Sequence, residues 1–130
     1  MHSGSERKVI STPRAPKAIG PYAQAVRCGD WLFVSGMIPI RPDTGELLTG
    51  DFEAEVTLVL ENIRAVVEAA GMRLDNVLKA TVFIKDLGQF GTFNDIYARY
   101  FGDILPARET VQVARLPRDA SIEISVICGK

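Results

Sequence analysis

Histidine is almost missing from this chain: the only one, His2, sits in the polar opening run Met1–Glu6. A folded body without histidine cannot hold a Ser-His-Asp triad, an HExxH zinc helix or a histidine general base. Cysteine is nearly as scarce. Cys28 and Cys128 stand a hundred positions apart, in neither a CxxC nor a paired-ligand spacing, and read as reduced, partly buried thiols. Chemistry here has to run on carboxylates, hydroxyls, backbone groups and arginine. No apolar run approaches the ~20 residues needed to span a bilayer, and the start lacks the apolar core of a signal peptide, so the expected location is cytoplasmic. Charge of either sign is also not in excess: 15 Lys and Arg face 16 Asp and Glu, a formal net charge of -1. That balance leaves no electrostatic footprint for nucleic acid or for an anionic membrane.

What is present suffices for one core. An apolar fraction of 47% with 24% charged residues is ordinary for a globular chain, and 130 residues fold without staples. With no repeat and no linker, residues 1–130 read as a single domain, with 1–7 as a disordered tail.

Lys8–Ser11 reads as a short strand, and the segment from Thr12 to Pro21, with three prolines and Gly20, as a loop. Ala23–Arg27 and Trp31–Ser35 flank Cys28-Gly29-Asp30, the signature of a β-hairpin. Trp31-Leu32-Phe33-Val34 is apolar on both sides of a strand, which predicts that both faces of its sheet are covered. Phe52, Val56, Val59, Ile63, Val66 and Ala70 trace one helix face, with Asp51 as N-cap and Gly71 as the stop. Val77–Lys85 alternates, predicting Leu78, Ala80, Val82 and Ile84 inward. Asp86-Leu87-Gly88-Gln89 resembles a capping box before a second helix that would bury Phe90, Phe93, Tyr97 and Tyr100 and end at Gly102. Ser121–Cys128 alternates again, with Ile122, Ile124, Val126 and Cys128 inward. The order βββαβαββ predicts an α+β two-layer sandwich, a mixed sheet with two helices on one face.

Between the second helix and the last strand lies Leu105-Pro106-Ala107-Arg108-Glu109-Thr110-Val111. Pro106 prevents continuation of the helix, and Arg108, Thr110 and Gln112 then alternate with Val111 and Val113. Arg108 leaves the start of this strand with a fork that fits a carboxylate. A solvated arginine, or one paired with Glu109 or Glu123, is the plainer reading of that residue alone. The alternation predicts that Arg108, Thr110, Gln112, Glu123 and Ser125 share the face away from the helices. A second subunit covering that face would make it a cleft.

Ala18-Ile19-Gly20-Pro21-Tyr22, Val34-Ser35-Gly36-Met37-Ile38-Pro39, Phe93-Asn94, Pro106-Ala107-Arg108 and Val113-Ala114-Arg115-Leu116-Pro117 together resemble the Rid family, also called YjgF-type, and within it the RidA subgroup. The likeness runs in order from Lys8 to Cys128. It implies a chorismate-mutase-like homotrimer with clefts between subunits. It also implies hydrolysis of reactive 2-imino and 2-enamino acids, such as 2-aminoacrylate and 2-aminocrotonate, to 2-keto acids and ammonia, with no metal and no cofactor. Such substrates escape from pyridoxal-phosphate dehydratases. By the same resemblance Arg108 grips the substrate carboxylate, the backbone N–H of Gly36 after Ser35 holds the ligand, Tyr22 closes the pocket and Asn94 lies at its edge. Glu123 and the backbone carbonyl of Thr110 orient and activate water. Thr110 stands where many members carry cysteine, and Met37 where glutamine is common.

Each of these residues has a plainer role when taken singly. Tyr22 packs over a loop, Ser35 and Gly36 end a strand, Glu123 is a solvated carboxylate and Thr110 an ordinary strand residue. Asn94 inside a helix is evenly balanced between the two. Two other functions fit the sequence less fully: a non-catalytic, regulatory trimer that captures small carboxylates, and a ribonuclease or translation inhibitor, against which the charge balance and the lack of histidine argue.

Overall fold

The computed structural model describes residues 6–130. The expected tail falls mostly outside these, but Arg7 opens the first strand. Six strands and two helices follow the order βββαβαββ: β1 (Arg7–Ile10), β2 (Ala25–Cys28), β3 (Trp31–Met37), α1 (Phe52–Ala69), β4 (Val77–Ile84), α2 (Phe90–Phe101), β5 (Ala107–Gln112) and β6 (Ile122–Gly129). They form one mixed sheet in the order β1-β2-β3-β6-β4-β5, antiparallel except for the parallel β4–β5 pair. The expected two-layer α+β sandwich is thus the observed fold.

The helices form where their signals stand. Asp51 caps α1 by accepting the Ala54 N–H at 3.2 Å, and Gly71 takes the left-handed conformation, φ 79°, that ends it. Val56, Val59, Leu60, Ile63 and Val66 of α1 are fully buried, each stabilising the fold by roughly 1.5–3 kcal/mol. Two polar side chains are buried on the same helix. Asn62 donates to the Ile40 carbonyl at 2.9 Å. Glu55 accepts from the Asp51 N–H and from the Ser121 hydroxyl, fastening the helix start to β6.

Three expectations change. Leu78 is exposed and Val77 buried, because the β4–β6 register shifts between Val77 and Lys79, and such a bulge turns the alternation over by one residue. On α2, Ile96 and Phe101 are buried with Phe93 and Tyr97, whereas Phe90 is 36% exposed and Tyr100 only half-buried. Asp86 accepts the Gly88 N–H and caps a 3-10 turn, Leu87–Gln89, rather than α2 itself.

The sheet face away from the helices is bare within the chain. Val9, Trp31, Phe33, Leu78 and Val111 lie exposed on or beside it. Trp31 and Leu78 close over Gly129, where a Cβ would meet Leu78 Cδ1 at 2.6 Å. The expectation that Trp31–Val34 is covered on both sides is met on one side only by this chain. Among the described residues no helix is long and apolar enough to cross a membrane.

Candidate active site

The candidate residues fall into two groups on opposite faces of the sheet. β5 is an edge strand whose register sets Arg108 beside Ala80 and Thr110 beside Val82, and Ala80 and Val82 are fully buried beneath the helices. Arg108 and Thr110 therefore point to the helix side. Glu123 pairs across β6–β4 with Phe83, which pairs with Val111, so Glu123 faces the bare side. This corrects the expectation that Arg108, Thr110, Gln112, Glu123 and Ser125 share one face. The alternation holds but with the opposite phase, because Val111 rather than Arg108 is the outward residue of this edge strand. Gln112 also turns to the helix side, where it accepts the Leu87 N–H at 2.9 Å.

In the first group, α2 lays three aromatic rings under the guanidinium. The Arg108 Cζ is 5.5 Å from the Phe90 centroid, 5.3 Å from Phe93 and 4.8 Å from Tyr97. Arg108 has no ion pair and no hydrogen bond among the described residues; Glu109 is taken instead by Lys79, at 2.6 Å. Around it, Asn94 Oδ1, the Tyr97 hydroxyl and Thr110 Oγ1 are buried without hydrogen-bond partners. Burial pushes the Tyr97 hydroxyl up to about 12, against the pull of the Arg108 charge. Buried polar groups are rarely left unpaired; beside them the uncommitted guanidinium offers its N–H donors to an anion, while Asn94 Oδ1 can only accept.

The second group lines a cavity of about 400 Å³ bounded by Tyr22, Gln24, Ser35, Gly36, Pro117 and Glu123. The Tyr22 hydroxyl accepts the Ile19 N–H at 3.4 Å, folding the ring over Gly20. Ser35 donates its hydroxyl to the Ala23 carbonyl at 2.6 Å, so that proton is committed to the scaffold. Glu123 fills the space where a Cβ on Gly36 would stand. Burial raises the Glu123 carboxyl above its ordinary value, the direction that strengthens it as a base. Met37, next in line, packs into the core.

Two residues had no role in the sequence reading. Tyr97 passed as a core aromatic; its place one turn from Asn94 on the same helix face was the available clue. Gln24 is buried and holds the proline-rich loop: its Oε1 accepts the Thr12 N–H at 2.7 Å, and its Nε2 donates to the carbonyls of Thr12, Ala15 and Pro16. Periodicity carries no trace of this. The neutral Gln fits because a loop rich in proline leaves carbonyls without the usual N–H partners. The thiols stay outside both groups; burial pushes Cys128 up to about 11.

Fold and residue set define a small α+β protein of the Endoribonuclease L-PSP family, which matches residues 12–129. The chain belongs to this family, the Rid or YjgF group that its motifs resemble. It is 51% identical over 124 residues to a RutC family protein of Pyrococcus horikoshii, covering 95% of this chain and 98% of that one. It is 47% identical over 124 residues to the Escherichia coli protein named "Putative reactive intermediate deaminase TdcF", covering 93% and 95%. The crystal structure of Escherichia coli TdcF with bound serine superimposes with a TM-score of 0.90 at 46% identity, covering 95% of this chain and 98% of that one.

Proposed function

We propose that this protein hydrolyses 2-imino and 2-enamino acids, such as 2-aminoacrylate and 2-aminocrotonate, to 2-keto acids and ammonia. The observation that carries the reading is Arg108: a guanidinium without a counter-ion, seated on aromatic rings amid three orphaned polar atoms. Its fork takes the substrate carboxylate, and charge-assisted hydrogen bonds of this kind contribute roughly 1.5–3 kcal/mol. The serine in the TdcF structure, itself an amino acid with a carboxylate, supports a ligand of this class.

The two groups of residues work together across a subunit boundary in this reading. The protein is a homotrimer, and Arg108, Thr110 and Asn94 of one chain meet Tyr22, Ser35, Gly36 and Glu123 of the next. The bare apolar face supports such an assembly, since exposed apolar patches of this kind mark contact surfaces. The imine carbon is already electrophilic, so a positioned water and a carboxylate base suffice. Glu123 takes a proton from the water as its oxygen bonds to carbon, and the Thr110 carbonyl holds the other hydrogen. From Glu123 that proton passes to the imine nitrogen to give a carbinolamine; its hydroxyl hydrogen then moves by way of Glu123 to the nitrogen as the C=O bond forms and the C–N bond breaks, and keto acid and ammonia leave.

The test is keto-acid release from 2-aminoacrylate or 2-aminocrotonate made in situ by a dehydratase, against a competing nucleophile. Acceleration by the wild type and none by Arg108→Ala supports the reading. Binding of the keto acid without any acceleration turns it toward a carboxylate-binding module.

A further inference from the structure

We propose that Phe90, Phe93 and Tyr97 are positioning residues for Arg108: a three-ring cradle that holds the guanidinium in place while leaving its N–H donors for a ligand. The inference rests on the assignment of Arg108 as the carboxylate anchor and says what makes it one.

The three residues fall at spacings of three and four along α2, which stacks side chains on one face of a helix. Their centroids lie within 5.5 Å of the same guanidinium carbon, inside the range of cation–π attraction. The rings are tied to each other and to the core. Phe93 meets Tyr97 at 5.3 Å between centroids and Tyr97 meets Phe101 at 4.6 Å, both tilted. A flexible arginine is thereby mounted on a rigid surface. Ring faces attract the charge without accepting its N–H hydrogens, and this leaves its donors for a planar carboxylate taken by two parallel bonds. A carboxylate neighbour would have held the arginine equally well but would have consumed those donors. The aromatic mount holds the charge and leaves the fork unspent.

The orphaned Tyr97 hydroxyl separates the ring's role from that of its oxygen. It lies buried and makes no hydrogen bond to Arg108, so the cradle assigns the positioning to the ring face, which Tyr97→Phe keeps. Phe90, at the exposed flank of the cradle, can be altered without opening the core.

The experiment is a calorimetric or NMR titration of the folded protein with 2-oxobutanoate, a stable 2-keto acid, using wild type, Arg108→Ala, Phe90→Leu, Tyr97→Leu and Tyr97→Phe, with a thermal melt of each. Removing one ring face is expected to weaken binding about fivefold for Phe90→Leu and five- to tenfold for Tyr97→Leu. Tyr97→Phe is expected to restore binding to within about twofold of wild type. Should Phe90→Leu bind as tightly as wild type while Arg108→Ala does not bind, the cradle is overturned and the anchor stands. Loss in Tyr97→Phe equal to that in Tyr97→Leu overturns it as well, assigning the effect to the hydroxyl. If Arg108→Ala binds like wild type, the anchor itself fails and the cradle with it.

Discussion

Gly36 and Glu123 occupy each other's space: a Cβ placed on Gly36 would stand 2.2 Å from Glu123 Oε2 and 2.8 Å from its carboxyl carbon. Real side-chain carbons do not approach so closely, so the absence of a side chain at 36 is what lets the Glu123 carboxylate lie against the backbone of β3. Ser35 and Gly36 fall within the register shift between Val34 and Met37, where a bulge bends the strand and opens the cavity wall.

Gly36→Ala therefore pushes the Glu123 carboxylate away from its seat. Keto-acid release is expected to fall by about 10²-fold, as for loss of a positioned base. The melting temperature should change little, because Gly36 is exposed. An alanine variant with wild-type turnover would show that the carboxylate works equally well elsewhere.

The raised Glu123 carboxyl makes two pH effects. The folded chain keeps this proton to higher pH than the unfolded chain does. In the window between the usual carboxylate pKa and the raised one, the folded state binds more protons, so stability falls as pH rises. Activity is expected to run the other way, since the proposed base is the ionised form. Glu123→Gln is expected to flatten that part of the stability profile, to be at least as stable as wild type at neutral pH, and to lose roughly 10²–10⁴ in rate. Melts and rates measured across pH 4 to 8, taken as roughly the span of a shifted carboxylate, check both signs.

Gln24→Ala strips the loop from Thr12 to Pro16 of the side chain that pairs its N–H and carbonyl groups. Leaving such groups buried and unpaired costs about 1–3 kcal/mol. Urea titration should show that loss, together with a raised KM, because Pro16 and Tyr22 frame the cavity. Gln24→Glu cannot donate to the carbonyls and should not rescue.

Trp31 is 51% exposed on the bare face. If that face joins subunits, Trp31→Glu is expected to shift the solution mass from trimer toward monomer and to abolish turnover together with assembly. Light scattering with a parallel assay reads both.

The architecture was legible in the sequence because its signals agree: Asp51 and Gly71 bracket α1, and Ile122, Ile124 and Val126 alternate through β6. The sequence misled where the period is locally broken or where an element lies at an edge. The bulge at Leu78 leaves no mark in composition. On β5 both faces carry mixed residues, Arg108 and Thr110 against Val111, so alternation alone does not say which side meets the helices. The family motifs point to the candidate site residues, but the three rings beneath Arg108 read as core, since aromatic spacing on a helix looks the same whether it packs leucine or carries a cation.

The sheet itself, standing between Arg108 and Glu123, has a genetic consequence. On the proposed reading the two ends of one reaction are carried by different faces of each chain, and a defect in either end is then not owned by a single molecule. Chains lacking the arginine and chains lacking the carboxylate, each silent alone, would restore some whole clefts when they assemble together. In a cell holding both alleles, either lesion would be partly masked by the other.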